Sequence, residues 1–138
     1  MPPQSSARPV GKLAKDTPRS PGRQRVRIKR IYDPQARGDG YRVLVDRLWP
    51  RGVSKSRASL DAWEIELAPS AGLREWFGHV PERWSKFRRQ YRKELKDHKV
   101  GLGALKRRSA RRPVTLLYAA KSHEYNQARV LQEAIEEM

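Results

Sequence analysis

Two short apolar runs constrain the fold of this chain more than any other feature of its sequence. The first is Val43-Leu44-Val45, within a predicted strand at residues 41–46 that stops abruptly at Asp46. The second lies in a predicted strand at residues 114–118, which leads into Ala119-Ala120-Lys121. Unbroken apolar runs of this length are typical of central strands that are buried on both faces. Helical segments separate the two runs. We therefore predict an α/β fold in which both strands are parallel members of a small, mainly parallel sheet flanked by helices.

A third strand is predicted near the start of the folded region. Residues 26–32 alternate apolar and basic side chains, which indicates a half-exposed strand near an edge of the sheet. Only about eight residues separate it from the next strand, whereas a parallel crossover usually needs about a dozen or more. We expect these two strands to be antiparallel neighbours or not to pair directly.

Serine and proline residues mark the predicted helix ends. A serine before a periodic apolar segment is a common N-cap, and proline is favoured in the first helical turn. Helices are expected from Ser59 to Leu67, from Ser70 through Phe77, from Pro81 through Leu95, around Leu102 and Leu105, and from Ser122 onwards.

The chain is strongly basic. Its 138 residues include 31 Lys and Arg against 15 Asp and Glu, which gives a formal net charge of +16. Such an excess favours an anionic partner over a merely soluble surface. The sequence contains no cysteine, so disulfides, thiolate catalysis and Cys-ligated zinc are excluded. No apolar run approaches the ~20 residues that span a bilayer, and we expect a cytoplasmic protein with no membrane partner.

Residues 1–24 are predicted to be separate from the domain at residues 25–138. Five prolines interrupt any helix in this region, and it has too few apolar residues for a packed face. We predict a disordered basic arm that strengthens polyanion binding. A solubilising or vector-derived tail is the alternative interpretation.

The polar residues that follow the two central strands form the main candidate site. Because parallel strands end at the same edge of a sheet, Asp46, Arg47 and Arg51 are expected to face Lys121 and Ser122 there. Guanidinium, ammonium and hydroxyl groups together with helix N–H groups are typical of an anion pocket. We predict that this pocket binds a nucleotide or a phosphorylated small molecule. The side chains expected to shape it are Trp49, Tyr118, His79 and Asn126.

Acid–base chemistry in this pocket, if it is catalytic, would fall to Asp46 or His79. The competing interpretation is structural: Asp46 pairs with one arginine, Trp49 is a core residue, and His79 caps a helix or bonds a carbonyl. No nucleophile motif, phosphate-binding loop or dinucleotide motif occurs. The three histidines have no metal-ligand spacing, so neither a metal nor a cofactor is expected.

The basic surface at residues 83–112 indicates a different function, that of a nucleic-acid-binding accessory protein. Several Lys and Arg side chains in this range could follow a phosphate backbone. The aromatic residues of the same segment lie on one helical stripe and are interpreted as core. A structural or partner-binding module without a ligand is the third alternative. The candidate nucleic-acid-binding residues are Arg88, Arg89, Arg92, Lys93, Arg107 and Arg108.

Four motifs resemble the YeaO-like family of uncharacterised bacterial proteins, a branch of the group called domain of unknown function 488. They cover nearly the whole folded region and read DGYRVLVDRLWPRG at residues 39–52, LAPS at 67–70, LREWFGH at 73–79 and TLLYAAK at 115–121. The resemblance implies a small α/β domain in the bacterial cytoplasm and no established activity.

The same resemblance bears on catalysis at the start of the last helix. The broader group typically carries Cys-His-Arg there, and Asn126, Gln127 and Ala128 stand at these positions in this chain. Tyr118 stands where the broader group often has a cysteine. The resemblance therefore gives no support for thiol- or histidine-based chemistry here.

Overall fold

A four-stranded sheet organises the fold. The computed structural model describes residues 25–138 and contains β1 (Val26–Arg30), β2 (Tyr41–Leu44), β3 (Ala62–Trp63) and β4 (Val114–Tyr118). The strand order is β1-β4-β2-β3, and every neighbouring pair is parallel. The predicted α/β fold with a small parallel sheet is confirmed. The predicted arm at residues 1–24 lies outside the described residues.

Helices flank this sheet. The α-helices of the described residues are α1 (Lys55–Ala58), α2 (Ala71–Phe77), α3 (Trp84–Leu95), α4 (Lys99–Ser109) and α5 (Gln127–Glu136). Short 3-10 turns occur at Arg37–Asp39, Ile65–Leu67, Pro81–Arg83 and Lys96–His98. In residues 25–138 no helix combines the length and the apolar composition that crossing a bilayer requires.

The strands β2 and β4 are the central pair that the sequence predicts. Tyr41 lies opposite Val114 and Leu44 lies opposite Leu117. The amide of Val45 extends the pairing by donating to the Leu117 carbonyl at 3.0 Å. Every residue of β4 is buried. Because both strands end at one edge of the sheet, their polar exit loops lie side by side there.

The strand β1 is an edge strand, as predicted, but it is not antiparallel to β2. Both strands pair in parallel with β4, which lies between them. The alternative that the two strands do not pair directly is the correct one. A short link is sufficient because β1 itself is only 5 residues long. At ~3.3 Å per residue such a strand spans only ~17 Å, so residues 31–40 can run back past it with no crossover α-helix.

Apolar residues are buried on both faces of the sheet. The larger cluster lies between one face and helices α2 to α5, and its members include Val43, Leu116, Phe87, Leu105 and Leu131. The smaller cluster covers the other face, and its buried members are Ile31, Leu44, Val53, Ala58 and Leu117. Burial on both faces is the usual environment of central parallel strands such as β2 and β4.

Two of the predicted helix starts are correct and two are wrong. Ser70 caps α2, since its hydroxyl accepts from the Leu73 amide at 3.3 Å, and Pro81 opens the 3-10 turn that leads into α3. Ser59 instead ends α1 with a φ of 47°, and the segment predicted as its helix contains strand β3. Pairing with β2 outweighs the helical spacing of the apolar residues in this segment.

The last helix begins later than predicted. Asn126 is the N-cap of α5, and its side-chain oxygen accepts from the Arg129 amide at 3.0 Å. The hydroxyl of Ser122 accepts from the Tyr125 amide at 2.9 Å and so stabilises the turn before the helix. Serine and asparagine are comparable caps, and the position is decided by where the chain leaves β4.

A buried ion pair fixes the N-terminal edge of the sheet. Arg42 donates to the Asp39 carboxylate at 2.5 Å, to the Ala58 carbonyl at 2.8 Å and to the Ser59 carbonyl at 3.0 Å. Lys29 donates to the same carboxylate at 2.9 Å. Burial tends to raise the pKa of Asp39, but the Ala36 amide and the two cations outweigh it and hold the pKa below its usual value. This network ties β1, β2 and α1 together.

Candidate functional site

A cavity of about 680 Å³ lies at the C-terminal edge of the sheet. It is formed by the loops that leave β2 and β4, by α2 and by the first turn of α5. Ligands of open α/β sheets commonly bind at this edge. Its lining residues are Tyr32, Asp46, Arg47, Leu48, Trp49, Pro50, Arg51, Pro69, Arg74, Phe77, His79, Phe87, Ala119, Ala120, Lys121, Ser122 and Gln127.

Most of the residues proposed from the sequence line this cavity. They are Asp46, Arg47, Trp49, Arg51, His79, Lys121 and Ser122. The structure places two others outside the lining. Tyr118 is buried within β4, and its hydroxyl lies 3.2 Å from Nδ1 of His123. Asn126 is buried as the N-cap of α5 and donates to the Ser122 carbonyl at 3.0 Å.

The carboxylate of Asp46 joins the two strand ends and the last helix. One oxygen accepts from the Ala119 amide at 3.0 Å, and the other accepts from the side-chain amide of Gln127. Burial raises the pKa of Asp46 to about 6, against the opposing effects of these two hydrogen bonds and of the Arg74 charge. Amide groups therefore hold this carboxylate, and the predicted arginine ion pair does not form among the described residues.

Four cationic side chains surround the cavity, and none has a carboxylate partner among the described residues. They are Arg47, Arg51, Arg74 and Lys121, and no Asp or Glu oxygen of residues 25–138 lies within 4.0 Å of their nitrogens. Arg47 is oriented by a hydrogen bond from Nε to the Pro69 carbonyl at 2.9 Å. The cavity is therefore electropositive.

The loop at residues 46–53 is held in place by its aromatic neighbours. The indole of Trp49 donates to the Val53 carbonyl at 2.6 Å and meets Trp63 edge to face, with ring centres 5.3 Å apart. Trp63 donates to the Asp46 carbonyl at 2.7 Å. Trp49 thus has both predicted roles, because it packs against the smaller core cluster and also lines the cavity.

His79 lies at the cavity in an unusual backbone conformation. Its φ is 61°, a left-handed value that non-glycine residues rarely adopt. It follows Gly78, which ends α2 with a φ of 52°. The imidazole ring centre lies 5.9 Å from that of Phe77. The helix is therefore capped by the glycine, and the histidine is the exposed residue that follows.

Arg74 and Gln127 are cavity residues that the sequence did not reveal. Arg74 stands three positions before Phe77, so both lie on one face of α2. That spacing was the available signal for Arg74. Gln127 is the first residue of α5, and its role becomes visible only once Asn126 is known to be the cap.

The candidate nucleic-acid-binding residues fall into two groups. Arg88 donates to Glu133 at 2.7 Å, and Arg92 pairs with Glu133 and Glu137, so these two arginines join α3 to α5. The other four remain exposed, namely Arg89, Lys93, Arg107 and Arg108. The basic face of α3 is therefore partly neutralised within the fold.

Comparison with known proteins assigns the chain to a family. A family model described as the inactive DUF488-N3 subclade matches residues 25–138. The chain belongs to this DUF488 subclade. The resemblance drawn from its motifs to YeaO-like proteins is confirmed.

Curated relatives of this DUF488 protein include proteins of Escherichia coli and Mycobacterium tuberculosis. The chain is 44% identical over 106 residues to the uncharacterized protein YeaO of Escherichia coli, covering 77% of this chain and 92% of the relative. It is 40% identical over 107 residues to the uncharacterized protein Rv3073c of Mycobacterium tuberculosis, covering 78% and 90%. No solved structure matches the chain.

Proposed function

We propose that this DUF488 protein binds a small anionic ligand, a nucleotide or a phosphorylated small molecule, in the cavity at the C-terminal edge of its sheet. One observation carries the proposal. Four cationic side chains surround a cavity in which Asp46 is the one lining carboxylate of the described residues, and amide groups hold both of its oxygens. Unpaired cations around a partly enclosed cavity attract and orient anions.

The orientation of Arg47 favours phosphate over a diffuse counterion. A guanidinium group has five N–H donors in a fixed fork, and only Nε of Arg47 is engaged with the Pro69 carbonyl. The outer edge of the fork therefore remains available to bind two oxygens of one phosphate. Lys121 and Arg51 add exposed positive charge on the loops that leave β4 and β2.

The apolar lining favours a ligand with more than a phosphate group. Trp49, Phe77, Phe87 and Pro69 line the same cavity as the cations. Its volume of about 680 Å³ lies within the usual range of small-molecule sites, ~300 to ~1,000 Å³. Aromatic side chains beside phosphate-binding groups suit the flat ring and the phosphate of a nucleotide.

Binding is a better description of this site than catalysis. Both oxygens of Asp46 accept hydrogen bonds from amide groups of the fold, so this carboxylate has a structural role in joining the two strand ends to α5. The chain has no cysteine, and Asn126 and Gln127 stand where the broader group has Cys-His. The description of the matching subclade as inactive supports the same conclusion.

Ligand titration with matched charge variants tests this function. The probes are adenosine monophosphate, ribose 5-phosphate and inorganic phosphate, with uncharged adenosine as the reference, measured by calorimetry and thermal shift. The double variant R51Q/K121Q removes two cavity charges, and the control R57Q/K99Q removes two exposed charges elsewhere. We expect the cavity variant to weaken phosphate-dependent binding at least about tenfold and the control to change it by less than about twofold.

Two results would reject the proposal. One is that adenosine monophosphate, ribose 5-phosphate and inorganic phosphate all bind no more tightly than adenosine. The other is that the cavity variant and the control lose affinity equally, because a general effect of net charge would then explain the binding.

A further inference from the structure

A cluster of arginines lies at the edge of the sheet opposite the cavity. Arg107 and Arg108 belong to the last turn of α4, and Arg111 lies in the turn that leads to β4. With Ala104 they line a cleft of about 380 Å³. The guanidinium carbon of Arg108 lies 4.0 Å from the centre of the Tyr41 ring, at the start of β2. We call Arg107, Arg108, Arg111 and Tyr41 the edge surface.

The charge of the edge surface is not neutralised within the described residues. In residues 25–138 no Asp or Glu oxygen lies within 4.0 Å of a nitrogen of its three arginines. Asp39, an acidic residue of this sheet edge, is already held by Lys29 and Arg42. Like charges three and four positions apart repel one another, so the cluster has a cost that an anion would offset.

Capping of the helix does not account for these arginines. Cations are favoured at helix C-termini, where they satisfy free carbonyls. Arg25 takes this role in α4, because its guanidinium donates to the Ser109 carbonyl at 2.9 Å and to the Arg111 carbonyl at 2.6 Å. Backbone amides of residues 110–112 occupy the carbonyls of Arg107 and Arg108. The edge-surface side chains are not required for this purpose.

We propose that the edge surface binds the phosphate backbone of nucleic acid without reading its base sequence. Exposed arginines along one helix end and the following turn can each bind a separate phosphate. Stacking on Tyr41 restricts the motion of Arg108, so less conformational entropy is lost when it binds. The net charge of +16 steers the whole chain towards polyanions.

Nucleic acid fits this surface better than a membrane does. A membrane-surface site combines basic residues with exposed apolar side chains that enter the lipid. Tyr41, the aromatic residue of the edge surface, is covered by Arg108 and is only partly exposed. The basic face of α3 is a weaker candidate, since Arg88 and Arg92 are paired with glutamates of α5.

Salt-dependent binding by the full chain tests this surface. Fluorescence anisotropy follows binding to a labelled DNA duplex and to a labelled single strand between about 50 and about 200 mM salt. The variant R107Q/R108Q/R111Q is compared with R89Q/K93Q/K99Q, which removes the same charge from exposed positions elsewhere. We expect the edge variant to lose at least about tenfold in affinity and to reduce the slope of log K against log salt by about 2.

The control variant and further measurements separate the explanations. We expect R89Q/K93Q/K99Q to lose less than about threefold in affinity for nucleic acid. The cavity variant R51Q/K121Q should also lose less than about threefold. Circular dichroism and thermal melting show whether each variant is folded. If the triple variant is destabilised, the double variant R107Q/R111Q replaces it, because that variant keeps Arg108 and its contact with Tyr41. The proposal is overturned by absence of salt-dependent binding, by equal losses in both triple variants, or by tighter binding to anionic vesicles than to either nucleic acid.

Discussion

The carboxylate of Asp46 accepts a hydrogen bond from the amide of Ala119 at 3.0 Å. These residues follow β2 and β4, so this contact joins the exits of the two central strands. Gln127 binds the other oxygen and brings the start of α5 to the same point. The Asp46 side chain thus joins three elements that form the cavity and also supplies a negative charge to its lining.

The first prediction concerns the pH dependence of stability. Burial raises the pKa of Asp46 in the folded chain to about 6, from 3.8 as the usual value. Compared with the unfolded chain, the folded chain therefore favours the protonated form of Asp46. The stability that the raised pKa of Asp46 contributes is complete below pH 3.8 and is lost as the pH rises through about 6.

Asp46→Asn should remove this contribution. The asparagine oxygen can still accept from the Ala119 amide, and the Gln127 amide can turn to accept from the new NH₂ group. Between pH ~4 and pH ~7, we expect the wild type to lose on the order of 2 kcal/mol more unfolding free energy than the variant. Urea denaturation at several pH values measures the difference. Parallel pH profiles for the two proteins would contradict this prediction.

The second prediction concerns anion affinity. Asp46 is the one acidic residue among residues 25–138 that lines the cavity, so its protonation should strengthen the binding of an anion as the pH falls through about 6. Sulfate is the suitable probe because its charge is constant in this range. If the repulsion between the ionised Asp46 carboxylate and the bound sulfate is ~1 kcal/mol, protonation raises the sulfate affinity about fivefold.

Two variants assign this effect to Asp46. His79 also lines the cavity, so the titration is made in the His79→Gln background. Adding Asp46→Asn in that background should give tight sulfate binding with little dependence on pH. An unchanged pH dependence in the double variant would show that another group is responsible.

The sequence allowed prediction of the features that depend on local pattern. The apolar runs identified β2 and β4 as parallel central strands, and their polar exit loops identified Asp46, Arg47, Arg51 and Lys121 as charged residues of one site. Ser70 was found as a cap because it precedes a short periodic segment without a competing residue nearby. These two inferences hold because the burial of β2 and β4 and the Ser70 cap are both visible in the pattern of a few neighbouring residues.

Features that depend on tertiary packing could not be predicted. The strand β3 has only 2 residues, and its pairing with β2 overrides the helical spacing of Leu60, Trp63 and Leu67. The N-cap of α2 is held by a contact distant in sequence, because Glu94 of α3 accepts from the Ser70 amide at 2.9 Å and from its hydroxyl at 2.6 Å. The spacing of Arg74 and Phe77 places both on one face of α2, but the sequence does not show that this face lines the cavity.

The third prediction concerns the backbone at His79. A left-handed φ costs a non-glycine residue ~1 kcal/mol, so His79→Gly should stabilise the fold by up to ~1 kcal/mol. His98→Gly is the matched control, because its φ of −125° is ordinary. That substitution should destabilise by ~0.5 to ~1 kcal/mol through the greater entropy of the unfolded chain. Chemical denaturation measures both, and a loss of similar size in the two variants would mean that His79 is not strained.

The same variant reports whether His79 takes part in binding. If the imidazole contacts the ligand, His79→Gly should bind inorganic phosphate more weakly although the protein is more stable. Opposite signs for stability and affinity are typical of strain that is kept for a functional reason. Unchanged phosphate affinity would instead leave His79 as a strained residue with no role in binding.

The fourth prediction concerns the buried ion pair at the N-terminal edge. Arg42→Met keeps most of the side-chain volume but leaves the Asp39 carboxylate without its buried partner and removes the donors to Ala58 and Ser59. Loss of one member of a buried pair costs ~3 to ~5 kcal/mol, so we expect a loss near ~3 kcal/mol because Lys29 still reaches Asp39. Arg37→Met, in the adjacent exposed turn, should change stability by less than ~0.5 kcal/mol. Equal unfolding free energies for the two variants in urea would show that Arg42 does not hold β2 to α1.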